Sequence, residues 1–262
     1  MTAHAFDHIA IAVPDWARAG PWLADALGGR WGHGARMPHM DVCQIHFGND
    51  TRIELLAPGS APDSFVRRFL AQGGGRHRPH HLTFKVDDIE RTLAEAGARG
   101  IGPILVNLAH DVWREAFLHP RDTGLGFLVQ FVQSSLDPAT LESDVRVPAP
   151  WPDRAHGDAA DIEFVLARVP SLDVPRTVLG DVLGGKAEEF RTPGGEPGVC
   201  FSWAHGARVV VVGSGDPGEA AGVRSIGLGS SPELDIPAAP VGHGLADTGL
   251  LDVLGVSLLV PV

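Results

Sequence analysis

The chain has 262 residues, of which 44% are hydrophobic and 20% are charged, and its formal net charge is -11. This length and composition predict two medium-sized domains with hydrophobic cores. The negative charge, with no run of lysines or arginines to offset it, excludes nucleic acid and membrane surfaces from the expected partners. The sequence has no recognisable leader, so we expect a cytoplasmic protein. With only Cys43 and Cys200, neither a disulfide framework nor a thiolate metal cluster is available.

The predicted elements begin with a strand and a helix. Apolar residues alternate in FDHIAIAV, Asp15 could cap the helix that follows, and a glycine-rich stretch ends that helix. The same order returns at HHLTFKVDDIE, where Asp88 takes the place of Asp15. Further strands are predicted at VCQIHFG, TRIELLAP, WREAFLHP and GFLVQFVQ, with a connecting helix at APDSFVRRFLAQ.

Two internal repeats organise the chain. Within the first half, the two strand-helix segments align His8 with His81. Between the halves, the residues that recur at a constant spacing of 156 positions are Val13, Pro14, Leu27, Gly28, Gly29 and Arg52, which return as Val169, Pro170, Leu183, Gly184, Gly185 and Arg208. Four similar modules are therefore predicted. Residues 134–160 are rich in Pro, Ser and Asp and lack periodicity, so they predict a linker between domains at 1–133 and 161–262.

Four polar residues interrupt four apolar strands of the first half: His8, Glu54, His81 and Gln130. Taken singly, each is more typical of an ordinary hydrogen-bonded residue than of a ligand. The repeat, however, puts all four at corresponding positions on the opening and closing strands of two modules. Because burying such groups without partners costs several kcal/mol, and because imidazole and carboxylate or amide oxygens suit divalent cations, the set favours a metal site.

The first 133 residues resemble the vicinal oxygen chelate superfamily, which includes glyoxalases, bleomycin resistance proteins and extradiol dioxygenases. Among its branches they are most similar to methylmalonyl-CoA epimerases. The segments that carry the resemblance are DHIAIAVPD, IELLAP, HHLTFKVDDIE, REAFLHP and GLGFLVQFVQ. The resemblance implies an α+β fold of four tandem βαβββ modules, arranged as two glyoxalase-like half-barrel domains. It also implies one divalent metal ion (Ni, Co, Zn, Mn or Fe) held by His8, Glu54, His81 and Gln130.

Two departures from the epimerase pattern bear on mechanism. Epimerases of this type usually have glutamine where Glu54 stands and glutamate where Gln130 stands, and a glutamate proposed as their base falls at Gln44 here. An amide cannot take up a proton as a carboxylate can, so the base must come from elsewhere. The candidates for the general base are His110, Glu115 and His46, and the candidates for substrate binding are Arg114 and Gln44. For His110 and Arg114 the simpler alternative is an ordinary surface residue.

The second half lacks an equivalent ligand set. At the spacing of 156 residues, Phe164 and Val210 stand where His8 and Glu54 stand in the first half. The remaining two positions offer only Ser225, or a neighbour, and Ser257. We therefore expect the second half to be a degenerate glyoxalase-like domain with a structural role.

The leading hypothesis for function is a metal-dependent isomerase, epimerase or lyase. A cation that chelates vicinal oxygens stabilises an enolate or oxyanion, and this makes a proton beside a carbonyl group of a small oxygenated substrate removable. One alternative is a non-catalytic protein of the same fold that binds a drug or natural product, and another is an Fe(II) dioxygenase. Both a monomer and a homodimer are compatible with the sequence.

Overall fold

A computed structural model of the protein describes residues 4–135, 147–151, 159–229, 239–242, 245–247 and 254–261. Within these residues the strands form two eight-stranded sheets, and helices connect some of the strands. The predicted α+β fold of tandem βαβββ modules is confirmed. None of the described helices is both long enough and apolar enough to cross a membrane.

The first sheet contains the strands of modules one and two in the order β2-β3-β4-β1-β5-β8-β7-β6. The elements of module one are β1 (Ala5–Ala12), α1 (Trp16–Leu27), β2 (Arg30–Arg36), β3 (Met40–His46), β4 (Arg52–Pro58) and the connecting helix α2 (Phe65–Gln72). The elements of module two are β5 (Arg78–Lys85), α3 (Ile89–Ala98), β6 (Pro103–Asn107), β7 (Trp113–Leu118), α4 (Pro120–Thr123) and β8 (Leu128–Ser134).

The second sheet has the order β10-β11-β12-β9-β13-β16-β15-β14. Its elements are β9 (Ile162–Val169), α5 (Asp173–Pro175) with a π-helix that follows it (Arg176–Val182), β10 (Lys186–Arg191), β11 (Pro197–Ser202), β12 (Arg208–Gly213), β13 (Gly222–Leu228), β14 (Ala239–Gly242), β15 (Leu245–Asp247) and β16 (Ser257–Pro261). The two sheets therefore have the same strand order. In both sheets, the first strand of each module lies beside the last strand of the same module.

The strand register repeats at the spacing found in the sequence. In module one, Ala10 on β1 lies beside Glu54 on the parallel strand β4. In module three, Leu166 on β9 lies beside Val210 on β12, and each of these residues is 156 positions after its counterpart. Equal register at equal spacing means that equivalent side chains face equivalent sides of the two sheets.

Aspartate side chains cap the N-termini of two helices, as the sequence predicts. Asp15 accepts a hydrogen bond from the backbone N–H of Ala17 at 2.9 Å, and Asp88 accepts one from the backbone N–H of Arg91 at 3.0 Å. Helix α1 is capped at its C-terminal end by Gly28, whose φ of 64° lies in the left-handed region that glycine tolerates best. These caps fix the direction in which each helix leaves its strand.

Helix α2 covers part of one face of module one. Its buried residues Val66 and Leu70 pack in one apolar cluster with Ala10 and Leu56 from the neighbouring strands β1 and β4. Ala10 and Leu56 share a strand face with His8 and Glu54. The apolar cluster therefore lies next to these two polar side chains on the same face of the sheet.

By internal contacts the described chain divides into two compact units. One contains residues 4–7, 81–135 and 164–225, and the other contains residues 8–80, 147–151, 159–163 and the described residues from 226 onward. The predicted domain boundaries near residues 133 and 160 stay a prediction. Most of the predicted linker lies outside the described residues.

One described piece of the predicted linker lies against module one. The backbone N–H of Val147 donates to the carbonyl of Gly34, on the edge strand β2, at 2.9 Å. The Trp151 ring meets the Trp31 ring edge-on at 5.0 Å between centroids. A Cβ at Gly20 would lie 2.1 Å from the Trp151 ring, so the missing side chain of this helical glycine makes room for the indole.

Candidate metal centre

His8 and Glu54 form the first part of the centre. Strands β1 and β4 are parallel neighbours, and the alternation of side chains turns both residues to one face. The His8 Nε2 atom lies 3.6 Å from a Glu54 carboxylate oxygen. The His8 side chain is only 2% exposed and that of Glu54 is 12% exposed, so both polar groups are largely removed from water.

Gln44 orients the Glu54 carboxylate. The two residues are direct cross-strand neighbours on β3 and β4, and Gln44 Nε2 donates to Glu54 Oε1 at 3.1 Å. The other carboxylate oxygen, Oε2, is the one nearest His8. Gln44, expected to bind substrate, thus directly contacts a candidate ligand.

His81 on β5 completes the group. It is buried, and its ring packs against the Phe117 ring in a T-shaped arrangement at a centroid distance of 5.6 Å. One ligand atom from each of His8, Glu54 and His81 lies within 4.8 Å of the other two. No second group of three such side chains occurs in the part of the chain that the structure describes.

The donor set fits a divalent transition metal. Two imidazoles and one carboxylate are ligands that Zn, Ni, Co, Mn and Fe(II) accept. Metal–ligand bonds of about 2.1 Å leave donor atoms roughly 3–4 Å apart, so the observed spacing needs only a small contraction around a cation. Because two of the three side chains are buried, a cation would also compensate for their loss of hydration.

Gln130 has hydrogen bonds at both ends of its amide. Its Nε2 atom donates to Glu115 Oε2 at 2.8 Å, and its Oε1 atom accepts from Thr83 Oγ1 at 2.5 Å. Thr83 lies opposite Gln130 in the parallel pairing of β5 and β8. The structure therefore brings together Gln130 and Glu115, two of the predicted site residues.

Thr83 and His80 were not predicted as site residues. Thr83 lies two positions after His81 on β5, so strand alternation alone could have placed both on one face. His80 is packed against the rings of Phe65 and Phe69, at centroid distances of 5.7 and 4.7 Å. Burial lowers the pKa of His80 to about 4, although the nearby charge of Glu54 acts in the opposite direction.

The other predicted residues lie in different surroundings. His46 ends β3, two positions after Gln44, and its ring lies over Gly32, where a Cβ would come within 2.3 Å of Nε2. His110 is exposed in the loop before β7 and accepts from the backbone N–H of Val112 at 3.4 Å. Arg114 pairs with Glu90 and donates to the carbonyl of Leu108 at 3.3 Å.

At the equivalent positions of modules three and four the side chains are apolar or weakly polar. Phe164 on β9 replaces His8, Val210 on β12 replaces Glu54, and Cys200 on β11 replaces Gln44. Burial raises the pKa of the Cys200 thiol, which keeps it protonated near neutral pH. Ser225 is buried on β13, and Ser257 lies on β16.

The comparisons with known proteins concern mainly the first half of the chain. The family model of the Glyoxalase/Bleomycin resistance protein/Dioxygenase superfamily matches residues 7–117. The mitochondrial methylmalonyl-CoA epimerase of Homo sapiens is 31% identical over 134 residues, which cover 49% of this chain and 73% of that protein. The ethylmalonyl-CoA/methylmalonyl-CoA epimerase of Cereibacter sphaeroides is 34% identical over 134 residues, covering 48% of this chain and 96% of that protein.

Two solved structures extend over most of the chain. A mutant of 4-hydroxymandelate synthase from Streptomyces coelicolor has a TM-score of 0.60 at 16% identity and covers 88% of this chain and 72% of its own. A hypothetical protein from Staphylococcus aureus has a TM-score of 0.61 at 11% identity, with 98% of both chains covered. At these identities the similarity shows the tandem fold alone.

Proposed function

Because the chain belongs to the glyoxalase/bleomycin resistance protein/dioxygenase superfamily, we propose that it is a divalent-metal-dependent isomerase, epimerase or lyase. Its substrate is a small oxygenated carbonyl compound, from which the enzyme removes a proton beside the carbonyl group. The observation that carries this proposal is the group formed by His8, Glu54 and His81, whose ligand atoms lie within 4.8 Å of one another. The similarity of the same half of the chain to epimerases supports the reaction class.

His8, Glu54 and His81 would hold the metal. When bound there, a divalent cation acts as a Lewis acid that stabilises negative charge on substrate oxygens. Gln44 holds one oxygen of the Glu54 carboxylate through its amide N–H and so restricts the rotation of that side chain. The apolar cluster of Ala10, Leu56 and helix α2 beside the group limits water on one side of it.

A proton acceptor is the second requirement, and Glu115 is the best supported of the three candidates. An ionised carboxylate only accepts hydrogen bonds, so the 2.8 Å contact from Gln130 Nε2 suits the charged form that takes up a proton. His110 is exposed in a loop and contacts a backbone N–H of the same loop. His46, at the end of β3, is the rival candidate for the role.

Proton exchange with solvent tests this proposal. The metal-loaded protein is incubated in D₂O with a panel of carbonyl and thioester compounds that includes methylmalonyl-CoA, and NMR follows deuterium entering beside the carbonyl group. We expect metal-dependent exchange that falls by about 10²–10⁴-fold in Glu115→Gln. Glu95→Gln, at a half-exposed glutamate of α3 that pairs with Arg99, is the matched control and should exchange at the wild-type rate. Equal exchange in both variants would remove Glu115 from the mechanism, and exchange lost only in His46→Ala would transfer the role to His46.

The donor set also favours a second candidate function. Two histidines and one carboxylate with open coordination positions are typical of non-haem Fe(II) oxygenases. Oxygen consumption by the Fe(II)-loaded protein with an oxygenated substrate would support a dioxygenase, and exchange without oxygen uptake would support the isomerase. Tight ligand binding with neither reaction would favour the non-catalytic binding protein.

A further inference from the structure

Module two has an apolar wall on the face of the first sheet that carries His81. Leu128 on β8 is the register partner of His81, and Phe117 on β7 is the register partner of Gln130. Ile104 on β6 lies opposite Phe117. Because register partners point to the same side of a sheet, the side chains of Leu128, Phe117 and Ile104 share one face with His81. All three are only half-buried, so part of each apolar surface is accessible to a ligand.

Phe117 connects this apolar wall to the candidate metal centre. Its ring packs against the His81 ring in a T-shaped arrangement. Glu115, two positions earlier on β7, lies on the same face and accepts a hydrogen bond from Gln130. A carbonyl compound that occupies the centre and presents a proton to Glu115 would therefore place its remaining substituent beside the apolar wall.

The counterpart of Phe117 in module one is polar. Gln44 lies opposite Glu54 as Phe117 lies opposite Gln130, and the amide of Gln44 donates to the Glu54 carboxylate. A phenyl ring cannot make such a hydrogen bond, so Phe117 has a different role from Gln44. Gln44 is buried, whereas Phe117 is partly exposed. Apolar surface of this kind gains free energy when an apolar group of a ligand covers it.

The width of the apolar wall indicates the size of the group that it accepts. Its residues lie on three adjacent strands, and because neighbouring strands are about 4.8 Å apart, the wall extends over roughly 10 Å. A methyl group would cover only part of this surface, whereas an aromatic ring or a branched chain would cover most of it. We propose that the small molecule bound at this centre carries an aryl or branched alkyl substituent, and that Phe117 selects for it. That this molecule is a substrate rests on the proposed function.

Binding of two dicarboxylates tests the apolar wall without any turnover. The protein is labelled with ¹³C at its isoleucine and leucine methyl groups, and benzylmalonate or methylmalonate is added in a buffer that contains Zn²⁺. We expect benzylmalonate to shift the methyl signals of Leu128 and Ile104 and to bind at least about 10-fold more tightly than methylmalonate. Equal affinity for the two compounds, or shifts confined to other methyl groups, would overturn the inference.

Substitutions assign this preference to individual residues. Phe117→Ala should reduce the preference for benzylmalonate to less than about threefold, because the ring that the substituent covers is gone. Ile104→Ala, on the edge strand β6, should reduce it as well, so the test does not depend on the folding of Phe117→Ala. Phe190→Ala, at an exposed strand phenylalanine of the second sheet, is the matched control and should keep the full preference. A full preference in a folded Phe117→Ala protein would remove Phe117 from the role.

Proton exchange separates this inference from the proposed function. The metal-loaded protein in D₂O is given malonyl thioesters that carry a methyl or a benzyl substituent. Exchange of the benzyl compound with a kcat/KM at least about 10-fold higher, and loss of that difference in Phe117→Ala, would support both proposals. A higher kcat/KM for the methyl compound would overturn the inference and leave the proposed function standing. Selective binding of benzylmalonate, with no exchange of any carbonyl or thioester compound, would overturn the proposed function and leave the inference standing.

Discussion

Replacing Glu54 with glutamine removes the charge of the candidate metal centre while leaving its main hydrogen bond possible. Gln44 Nε2 donates to Glu54 Oε1 at 3.1 Å, and the Oε1 atom of a glutamine can accept the same bond. The two side chains also have nearly the same volume. We therefore expect Glu54→Gln to change the free energy of unfolding of the metal-free protein by less than about 1 kcal/mol.

The effect should appear when metal is added. Free metal at 100 times the wild-type Kd stabilises the folded state by about 2.7 kcal/mol. If loss of the carboxylate raises Kd by about 100-fold, the same metal concentration stabilises the variant by only about 0.4 kcal/mol. For a chain of this length 1 kcal/mol corresponds to roughly 2 °C in Tm, so the metal should raise Tm by about 5 °C in the wild type and by about 1 °C in the variant.

Thermal unfolding with and without Zn²⁺, Ni²⁺, Co²⁺ or Mn²⁺ measures this difference. Glu188→Gln is the matched control, because Glu188 is an exposed strand glutamate on β10 that pairs with Lys186. Its metal-induced rise in Tm should equal that of the wild type. A full wild-type rise in Glu54→Gln would refute the assignment of Glu54 as a ligand.

Two further substitutions test contacts away from the centre. The Arg168 guanidinium lies 3.1 Å from Glu196 and lowers the pKa of that carboxyl below its ordinary 4.5. The pair therefore stabilises the fold fully above about pH 4.5. This stabilisation is lost as the pH falls through the lowered pKa that Glu196 has in the folded protein. Calorimetry should therefore show Glu196→Gln less stable than the wild type at neutral pH and converging with it in acid, and a constant gap would contradict this. Asn49→Ala should cost about 1–3 kcal/mol in urea unfolding because Asn49 Nδ2 donates to the backbone carbonyl of Ile162 at 2.8 Å. The exposed Asn107→Ala should cost less than about 0.5 kcal/mol, and equal costs would exclude a specific role for Asn49.

Most of the fold follows from patterns that the sequence carries locally. Alternating apolar residues predict the strands, and Asp15 and Asp88 predict the helix starts that the structure contains. The spacing of 156 residues predicts the second sheet as a copy of the first, and the equal registers of Glu54 and Val210 agree with it. Such signals depend only on residues that are close in the chain, so they can be identified without knowing the tertiary contacts.

The candidate centre could be predicted only in part. The repeat indicates His8, Glu54 and His81 because corresponding strands place corresponding residues on one face. The hydrogen bonds of Gln130 with Thr83 and Glu115 could not be predicted, because the direction of a buried amide depends on which donors and acceptors surround it in three dimensions.

His80 is a further example of a role that depends on tertiary packing. Its surroundings come from helix α2, whose aromatic residues Phe65 and Phe69 are 11 or more positions earlier in the chain. Strand alternation separates His80 from His81 but does not indicate what covers either ring. The low pKa of His80 therefore follows from packing that no local pattern predicts.

The metal content of the purified, untagged protein tests the central claim most directly. Elemental analysis should find about one equivalent of a divalent transition metal per chain in the wild type, and none in His81→Ala. That result would support a single centre built from His8, Glu54 and His81. The absence of metal from the wild type, even after reconstitution with Ni, Co, Zn, Mn or Fe(II), would contradict the account.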